Sequence, residues 1–293
     1  MSTGEAVRTG AFNAARERFA VFLRNTDQKE VQLDATLSGI QRMAPAAWSK
    51  LRNSEQLFRI YVMGAGNGGL ELPLLKSFIA ERGTKDNISI SCEDVSQTMA
   101  SEFNTNAITA GLSDIVSDYQ VIPFEDPSHD PPLSDFSMSS HVWYYIQDWR
   151  NTPKETNTLQ KFANSLDTNG VGLITIYSST SDRYELLAEL HKHTAQPAPE
   201  LPGEEIVAEL AKLNIENQSE IVNAHTDVSS CFQDGAFSPN RDGKLLLSFI
   251  LRTDWERLPE AAQRGIGERL AEIVRRNGRA EMVFRDLYIW LHS

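Results

Sequence analysis

The sequence predicts an α/β fold, an open doubly wound sheet of mainly parallel strands, on three observations. Short runs rich in Val, Ile, Phe and Tyr alternate with helical periodicity between residues 58 and 177, the pattern of βαβ units. The first run, Arg59-Ile-Tyr-Val-Met63, passes into glycines at 64, 66, 68 and 69, and a helix-compatible segment follows at once. Strand, glycine-rich turn and helix is how such a sheet opens a nucleotide site, because the missing Cβ atoms let the backbone turn tightly and helix N–H groups point at a ligand. Third, Val171-Gly-Leu-Ile-Thr-Ile-Tyr177 is a strongly β-prone run where a central strand belongs.

The elements follow in order. Phe19, Phe22 and Leu23 have helical spacing within residues 11–24, and a second helical stretch runs from Gln28 to Leu51. Strand Phe58–Met63 and helix Leu70–Arg82 come next, then strand Asn87–Cys92, helix Ser96–Ala110 and a short strand near Tyr119–Pro123. A fourth strand is expected over Asp135–Val142, a helix over Thr156–Leu166 and a fifth strand over Val171–Tyr177. Beyond it lie helix Asp182–His193, a proline-rich linker or lid Gln196–Gly203, helix Glu204–Leu213 and strand Glu220–Val228. A polar loop Asp234–Gly243, a strand-like run Lys244–Leu251, helix Glu260–Arg276 and strand Phe284–Leu291 complete the chain. The expected domains are a helical cap at 1–54 contributing to the substrate pocket and a cofactor-binding core at 55–181. Residues 182–293 add substrate-lobe elements and the strands that complete the sheet.

Composition narrows the function. The chain has 293 residues, 41% of them hydrophobic, enough for one large domain or a core with an appended lobe. The longest apolar runs are too short to cross a bilayer, and residues 1–5 lack a signal-peptide pattern. A net charge of −12 argues against a nucleic-acid partner. Cys92 and Cys231 are the only cysteines, so neither a disulfide framework nor a cysteine zinc site is expected. His191 and His193 diverge on a helix, so no metal site is expected there. The expectation is a cytoplasmic monomer acting on a small molecule, with no membrane or nucleic-acid partner.

Gly64, Gly66 and Gly69 satisfy the G-x-G-x-x-G dinucleotide fingerprint, while Gly64, Gly66 and Gly68 equally satisfy the G-x-G-x-G of class I methyltransferases. Glu93 and Asp94 stand after the second strand, where a carboxylate accepts ribose hydroxyls in both families. Three features favour S-adenosyl-L-methionine over a nicotinamide cofactor. A helical segment precedes the glycine turn, and Val121-Ile-Pro-Phe-Glu125 suits an adenine contact through Phe124 and Glu125. Asp135-Phe-Ser-Met-Ser-Ser-His-Val-Trp-Tyr-Tyr145 puts a polar and aromatic cluster at the end of the fourth strand.

Further motifs resemble the histamine N-methyltransferase family: Phe19-x-x-Phe22-Leu23, the run Gly64–Glu71, Trp143-Tyr-Tyr-Ile-Gln-Asp148, Asp227-Val-Ser-Ser-Cys-Phe-Gln-Asp-Gly235 and Asp242-Gly-Lys-Leu-Leu246. The Asp227–Gly235 match lies outside the generic cofactor fold and is the most specific. The resemblance runs patchily from Phe19 to the C-terminus. It implies a Rossmann-like seven-stranded methyltransferase sheet with a small, mostly helical substrate lobe, and transfer of the sulfonium methyl to a nitrogen of a small amine or imidazole-type metabolite.

The resemblance also distributes roles. Gly64, Ala65, Gly66 and Gly68 form the cofactor turn, Asp94 holds the ribose with Glu93 as fallback, and Ser96 follows. Ser140 and Tyr145 fall near the methionine part and the methyl path, and His141 and Tyr145 are the candidate catalytic residues. Phe19, Phe22, Asp27, Gln28, His141, Tyr177, Tyr184, Trp255 and Asp286 are candidates for the substrate pocket. There are departures. The family's glutamate after the first helix reads Gln28, its glutamine on the fourth-strand loop reads His141, its asparagine near the C-terminus reads Asp286, and its tryptophans after the fifth strand are replaced. These point to a different or differently shaped acceptor. The alternatives are transfer to a hydroxyl or carboxylate with His141 as base, an NAD(P)-dependent oxidoreductase, and a catalytically silent binding module that keeps the cofactor fold without a substrate pocket.

Overall fold

The computed structural model describes residues 16–146, 149, 153, 156–194 and 201–293. The linker expected at Gln196–Gly203 lies mostly outside them, as do Gln147 and Asp148. The chain divides into two compact, interleaved units. One draws on Met1–Val31, Ser179–Glu200 and Asn223–Asp286; the other comprises Gln32–Ser178, Leu201–Val222 and Leu287–Ser293.

A helix over 16–25 (α1) is followed by α2 (Gln28–Met43) and α3 (Pro45–Arg52). The single helix expected from Gln28 to Leu51 is thus two, because Pro45 cannot donate into a continuing helix and instead occupies the first turn of the next. Then come β1 (Phe58–Met63), α4 (Glu71–Arg82), β2 (Ile88–Asp94), α5 (Gln97–Ala110), β3 (Val116–Val121) and β4 (Ser134–Ser140). They are followed by α6 (Thr158–Asn164), β5 (Leu166–Tyr177), α7 (Asp182–His193), α8 (Gly203–Leu213) and β6 (Asn217–Asp227). A two-stranded hairpin of β7 (Phe232–Gln233) and β8 (Ala236–Phe237), α9 (Arg241–Ile250), α10 (Glu260–Asn277) and β9 (Glu281–His292) complete the order.

The seven-stranded sheet has the order β3-β2-β1-β4-β5-β9-β6. β1 pairs in parallel with β2 and β4, β2 with β3 and β4 with β5. The reversal of direction at β1/β4 leaves a crevice at the carboxyl ends of these strands, where ligands of such sheets bind. In the unit that carries these five strands, alternation sends Ile60, Val62, Ile90, Phe136, Met138, Val171 and Leu173 to one face, against α2, α3 and α4. Tyr61, Met63, Ile174 and Ile176 go to the other, with Phe124, Trp143 and Phe162. A Cβ at Gly39 of α2 would sit 2.1 Å from the Trp290 ring, so the missing side chain is what lets this helix lie directly on β9.

The other unit has its own aromatic core. Phe22 stacks on Phe249 at 4.4 Å and on Phe284 at 5.8 Å, Phe237 meets Trp255 edge-on, and α7 packs on α10. Two expectations fail here. The strand-like run Lys244–Leu251 is most of helix α9, capped by the Asn240 side chain on Gly243 N–H, with Leu246, Leu247 and Ile250 on its buried side. A short apolar run cannot choose between strand and buried helix by periodicity; the cap decides it. The polar loop expected over Asp234–Gly243 holds β8, the start of α9 and the turn of the β7–β8 hairpin, whose Asp234-Gly235 pair has φ of 49° and 80° as a two-residue hairpin requires.

Candidate functional site

The glycine turn leaves β1 with φ of 72° at Gly64, 53° at Gly66 and 81° at Gly68, left-handed conformations that a side chain would strain. The three glycines serve different ends. A Cβ at Gly64 would meet Val142 at 2.4 Å and one at Gly68 would meet Leu72 and Phe103 at 2.9 Å, whereas Gly66 faces open space. Gly64 and Gly68 let the turn pack; Gly66 leaves its outer surface accessible. The turn is tied to β2 throughout: Ala65 N–H donates to Glu93 O at 2.9 Å and Gly66 N–H to the Asp94 carboxylate at 3.1 Å. The other Asp94 oxygen accepts from Ser96 N–H at 2.9 Å, and Ser96 caps α5 through Met99 N–H. Tyr119 on β3 donates its hydroxyl hydrogen to Gly66 O at 2.8 Å. Asp94 therefore stands half-buried between the turn and α5, with two of the roughly four acceptor positions of a carboxylate used by backbone.

Ile122 N–H donates to Asp94 O at 3.1 Å and brings the loop after β3 beside this carboxylate. Glu125 is exposed, but Phe124 is 3% exposed and its ring packs against Trp143 and Phe162. The aromatic expected as an adenine wall thus presents little surface; Ile122 is the half-exposed apolar side chain of that loop.

At the end of β4, Ser140 accepts from Gln32 Nε2 at 2.6 Å. β4 stops there, two residues short of expectation, and His141 takes φ of 55°, a left-handed conformation uncommon outside glycine and frequent at functional sites. Its N–H is held by Thr175 O at 2.8 Å, and its ring lies 4.5 Å from that of Tyr177. His141 Nδ1 lies 3.3 Å from the Tyr144 hydroxyl, which also accepts from Tyr177 N–H at 2.7 Å. The choice of tyrosine changes as a result. The family resemblance favoured Tyr145, but residues 143–145 form a turn; Tyr144 joins His141 and Tyr177, and Tyr145 is 67% exposed.

The remaining candidates belong to the other unit. Phe22, 2% exposed, and Trp255, 3% exposed, are core side chains, while Phe19 lies at the surface, with the Lys29 ammonium 5.7 Å from its ring centre. Asp27 exchanges backbone and side-chain hydrogen bonds with His225 and so pins α2's start to β6. Tyr184 is half-buried on α7. Gln28 and Asp286 meet: the amide Nε2 donates to Asp286 Oδ2 at 2.9 Å, both side chains buried. Asp182, fully buried, collects Arg276, Arg285, Asn277 and Val283 N–H, a structural hub that the sequence did not reveal.

Sequence reasoning also missed that one of its candidates is buried and ionisable. Glu93, 1% exposed, points away from the glycine turn and contacts His129 and the Tyr61 hydroxyl. Burial pushes its carboxyl up to about 7 and lowers the His129 imidazole. The acidic pair Glu93-Asp94 was visible, but which member faces the turn is a matter of strand phase at its last two residues.

No family model matches the chain, and no curated protein matches it in sequence. Among solved structures it is similar to the YcgJ protein from Bacillus subtilis, 14% identical over 84% of this chain and 97% of that one, with a TM-score of 0.50. It is similar also to a candidate sarcosine dimethylglycine methyltransferase from Galdieria sulphuraria, 15% identical over 95% of this chain and 98% of that one, TM-score 0.50. A candidate methyltransferase from Bacillus halodurans C-125 is 8% identical over 84% and 97%, TM-score 0.51. At such identities the likeness is one of fold: the chain has a Rossmann-like methyltransferase fold.

Proposed function

We propose that this protein is an S-adenosyl-L-methionine-dependent methyltransferase acting on a nitrogen of a small amine or imidazole-type metabolite. The observation that carries the cofactor reading is the junction of Gly66 and Asp94: a glycine whose missing Cβ leaves open space, bonded to a carboxylate with acceptor capacity left. The residues present fit the group. Asp94 would take the ribose hydroxyls, the turn from Gly64 to Gly68 would accept close approach, and Ile122 with Glu125 would flank the adenine.

When bound, S-adenosyl-L-methionine supplies a methyl already made electrophilic by its sulfonium, so the protein's contribution is mainly orientation. His141 would serve that end. With the Tyr144 oxygen accepting from Tyr177 N–H, its own hydrogen can serve His141 Nδ1, which puts the ring proton on Nε2, where it would orient a polar atom of the acceptor other than the attacking nitrogen. Methyl transfer to a hydroxyl is the second reading. It needs the opposite tautomer, with Nδ1–H donating to Tyr144 and Nε2 taking the proton.

Calorimetric titration with S-adenosylhomocysteine, with NADH in parallel, tests the cofactor: micromolar binding of the first alone is expected, and binding of NADH alone overturns the proposal. A panel of amines, imidazoles, phenols and carboxylates assayed by mass spectrometry then identifies the acceptor atom. Methylation confined to oxygen would select the second reading.

A further inference from the structure

β3 and β4 lie on opposite sides of β2 and β1 in the sheet, so the chain between them must cross two strands. Such crossovers are usually helical. Here residues 122–133 cross without any helix, and a crossover of that kind has backbone groups that no helix satisfies. Three side chains do the fastening. Lys161 of α6 donates to Phe124 O at 2.7 Å and to Asp126 O at 2.9 Å, and its ammonium lies 5.0 Å from the Phe124 ring centre. Phe124 enters the aromatic cluster of Trp143 and Phe162. His129 reaches the sheet itself: 6% exposed, it contacts the Glu93 carboxylate on β2, and its Nε2 lies 3.4 Å from the Tyr61 hydroxyl on β1.

The place where His129 grips matters. Glu93 O carries the Ala65 N–H bond of the glycine turn, and the next residue, Asp94, holds Gly66 and, through its carbonyl, Ile122. We infer that His129 is a positioning residue for the cofactor: by pinning the helix-less crossover to Glu93 and Tyr61 it fixes residues 122–125 beside Asp94, without touching the cofactor itself. The inference rests on the cofactor reading above. The charged groups facing the pair are Lys161, Asp94 and Glu125 around Glu93, and Lys161, Asp130 and Asp126 around His129. A cleft of about 140 Å³, lined by Asp118, Gln120 and Asp130 among others, borders both side chains and has room for water.

The test compares wild type, His129→Ala and His129→Gln by calorimetry with S-adenosylhomocysteine and by amide hydrogen exchange without ligand. His129→Ala is expected to weaken binding about tenfold, the size of one lost charge-assisted hydrogen bond, and to speed exchange in residues 122–133 more than in β1 or β4. His129→Gln keeps an N–H donor at similar reach and should restore most of both. A His129→Ala protein that melts earlier yet binds within twofold of wild type would overturn the positioning role, as would a Gln variant no better than Ala. Should His129→Ala fail to fold, the Gln variant decides: it must bind within a few-fold of wild type. Failure of the wild type to bind S-adenosylhomocysteine brings down the cofactor reading, and this inference with it; binding by wild type and His129→Ala alike brings down this inference alone.

Discussion

Replacing Gly66 by alanine adds one methyl group at a position where the structure separates two costs. The first is conformational: Gly66 has φ of 53°, and an L side chain in that region costs roughly 1–2 kcal/mol. The second is steric and arises only with ligand present, because nothing lies within 4 Å of the added Cβ in the protein itself. Gly111 supplies the control. It has φ of 71°, its added Cβ also meets nothing within 4 Å, and it closes the far end of the 14-residue α5, about 20 Å from Ser96 at 1.5 Å per residue. The two alanine variants should therefore lose the same stability, a few degrees in melting temperature. They should differ in affinity. A methyl forced into a close backbone–ligand contact costs about 1–3 kcal/mol, roughly 5- to 150-fold in Kd. Both backbone bonds of Gly66, to Asp94 and from Tyr119, survive the change, so loss of the turn is not a competing explanation. Thermal melting and calorimetric titration with S-adenosylhomocysteine read the two costs separately. Wild-type affinity in Gly66→Ala, or an equal loss in Gly111→Ala, would refute the assignment of Gly66 to the cofactor surface.

Tyr144→Phe removes the acceptor of Tyr177 N–H and the partner of His141 Nδ1; it should cost about 1 kcal/mol of stability and lower kcat more than cofactor affinity, whereas Tyr145→Phe should leave the melting temperature unchanged. A larger loss of kcat in Tyr145→Phe than in Tyr144→Phe would return the catalytic assignment to Tyr145. Asp182→Ala leaves two partly exposed arginines without their buried carboxylate, so the expected loss lies at the low end of the range for breaking a buried pair, about 3 kcal/mol; an unchanged urea midpoint would contradict it. The Glu93 carboxyl, raised by burial from 4.5 to about 7, contributes stability that is present at low pH and lost as pH rises through its folded value. The depressed His129 opposes this up to and a little above pH 6.5, so urea denaturation should show a net loss of about 0.5 kcal/mol between pH 6.5 and 8, and Glu93→Gln should flatten the slope.

Much of the fold was legible because its signals are local. The runs at 58–63 and 171–177 and the glycine turn need only sequence neighbours to declare themselves, and the structure has β1, β5 and the turn where the pattern puts them. Helix α4 ends at Gly83, in the left-handed conformation of a helix stop. The errors fall where local preference is ambiguous. Lys244–Leu251 offered an apolar run without a period; Gln28–Leu51 hid a break at Pro45 inside continuous helical spacing.

The site was legible in residue type and less so in direction. Sequence alone brought forward glycines, an acidic pair and a polar–aromatic strand end as candidates for one nucleotide-type site, because those residue types follow from chemistry that any such turn needs. Only the tertiary structure decided which atoms face where. It turned Asp94 to the glycine turn and buried Glu93 against His129, put Tyr144 rather than Tyr145 beside His141, drew Phe124 into the core and joined Gln28 to Asp286. Each of those outcomes depends on strand phase, on where β4 stops, or on a partner more than thirty positions away in the chain. Composition and spacing fix none of these; packing does.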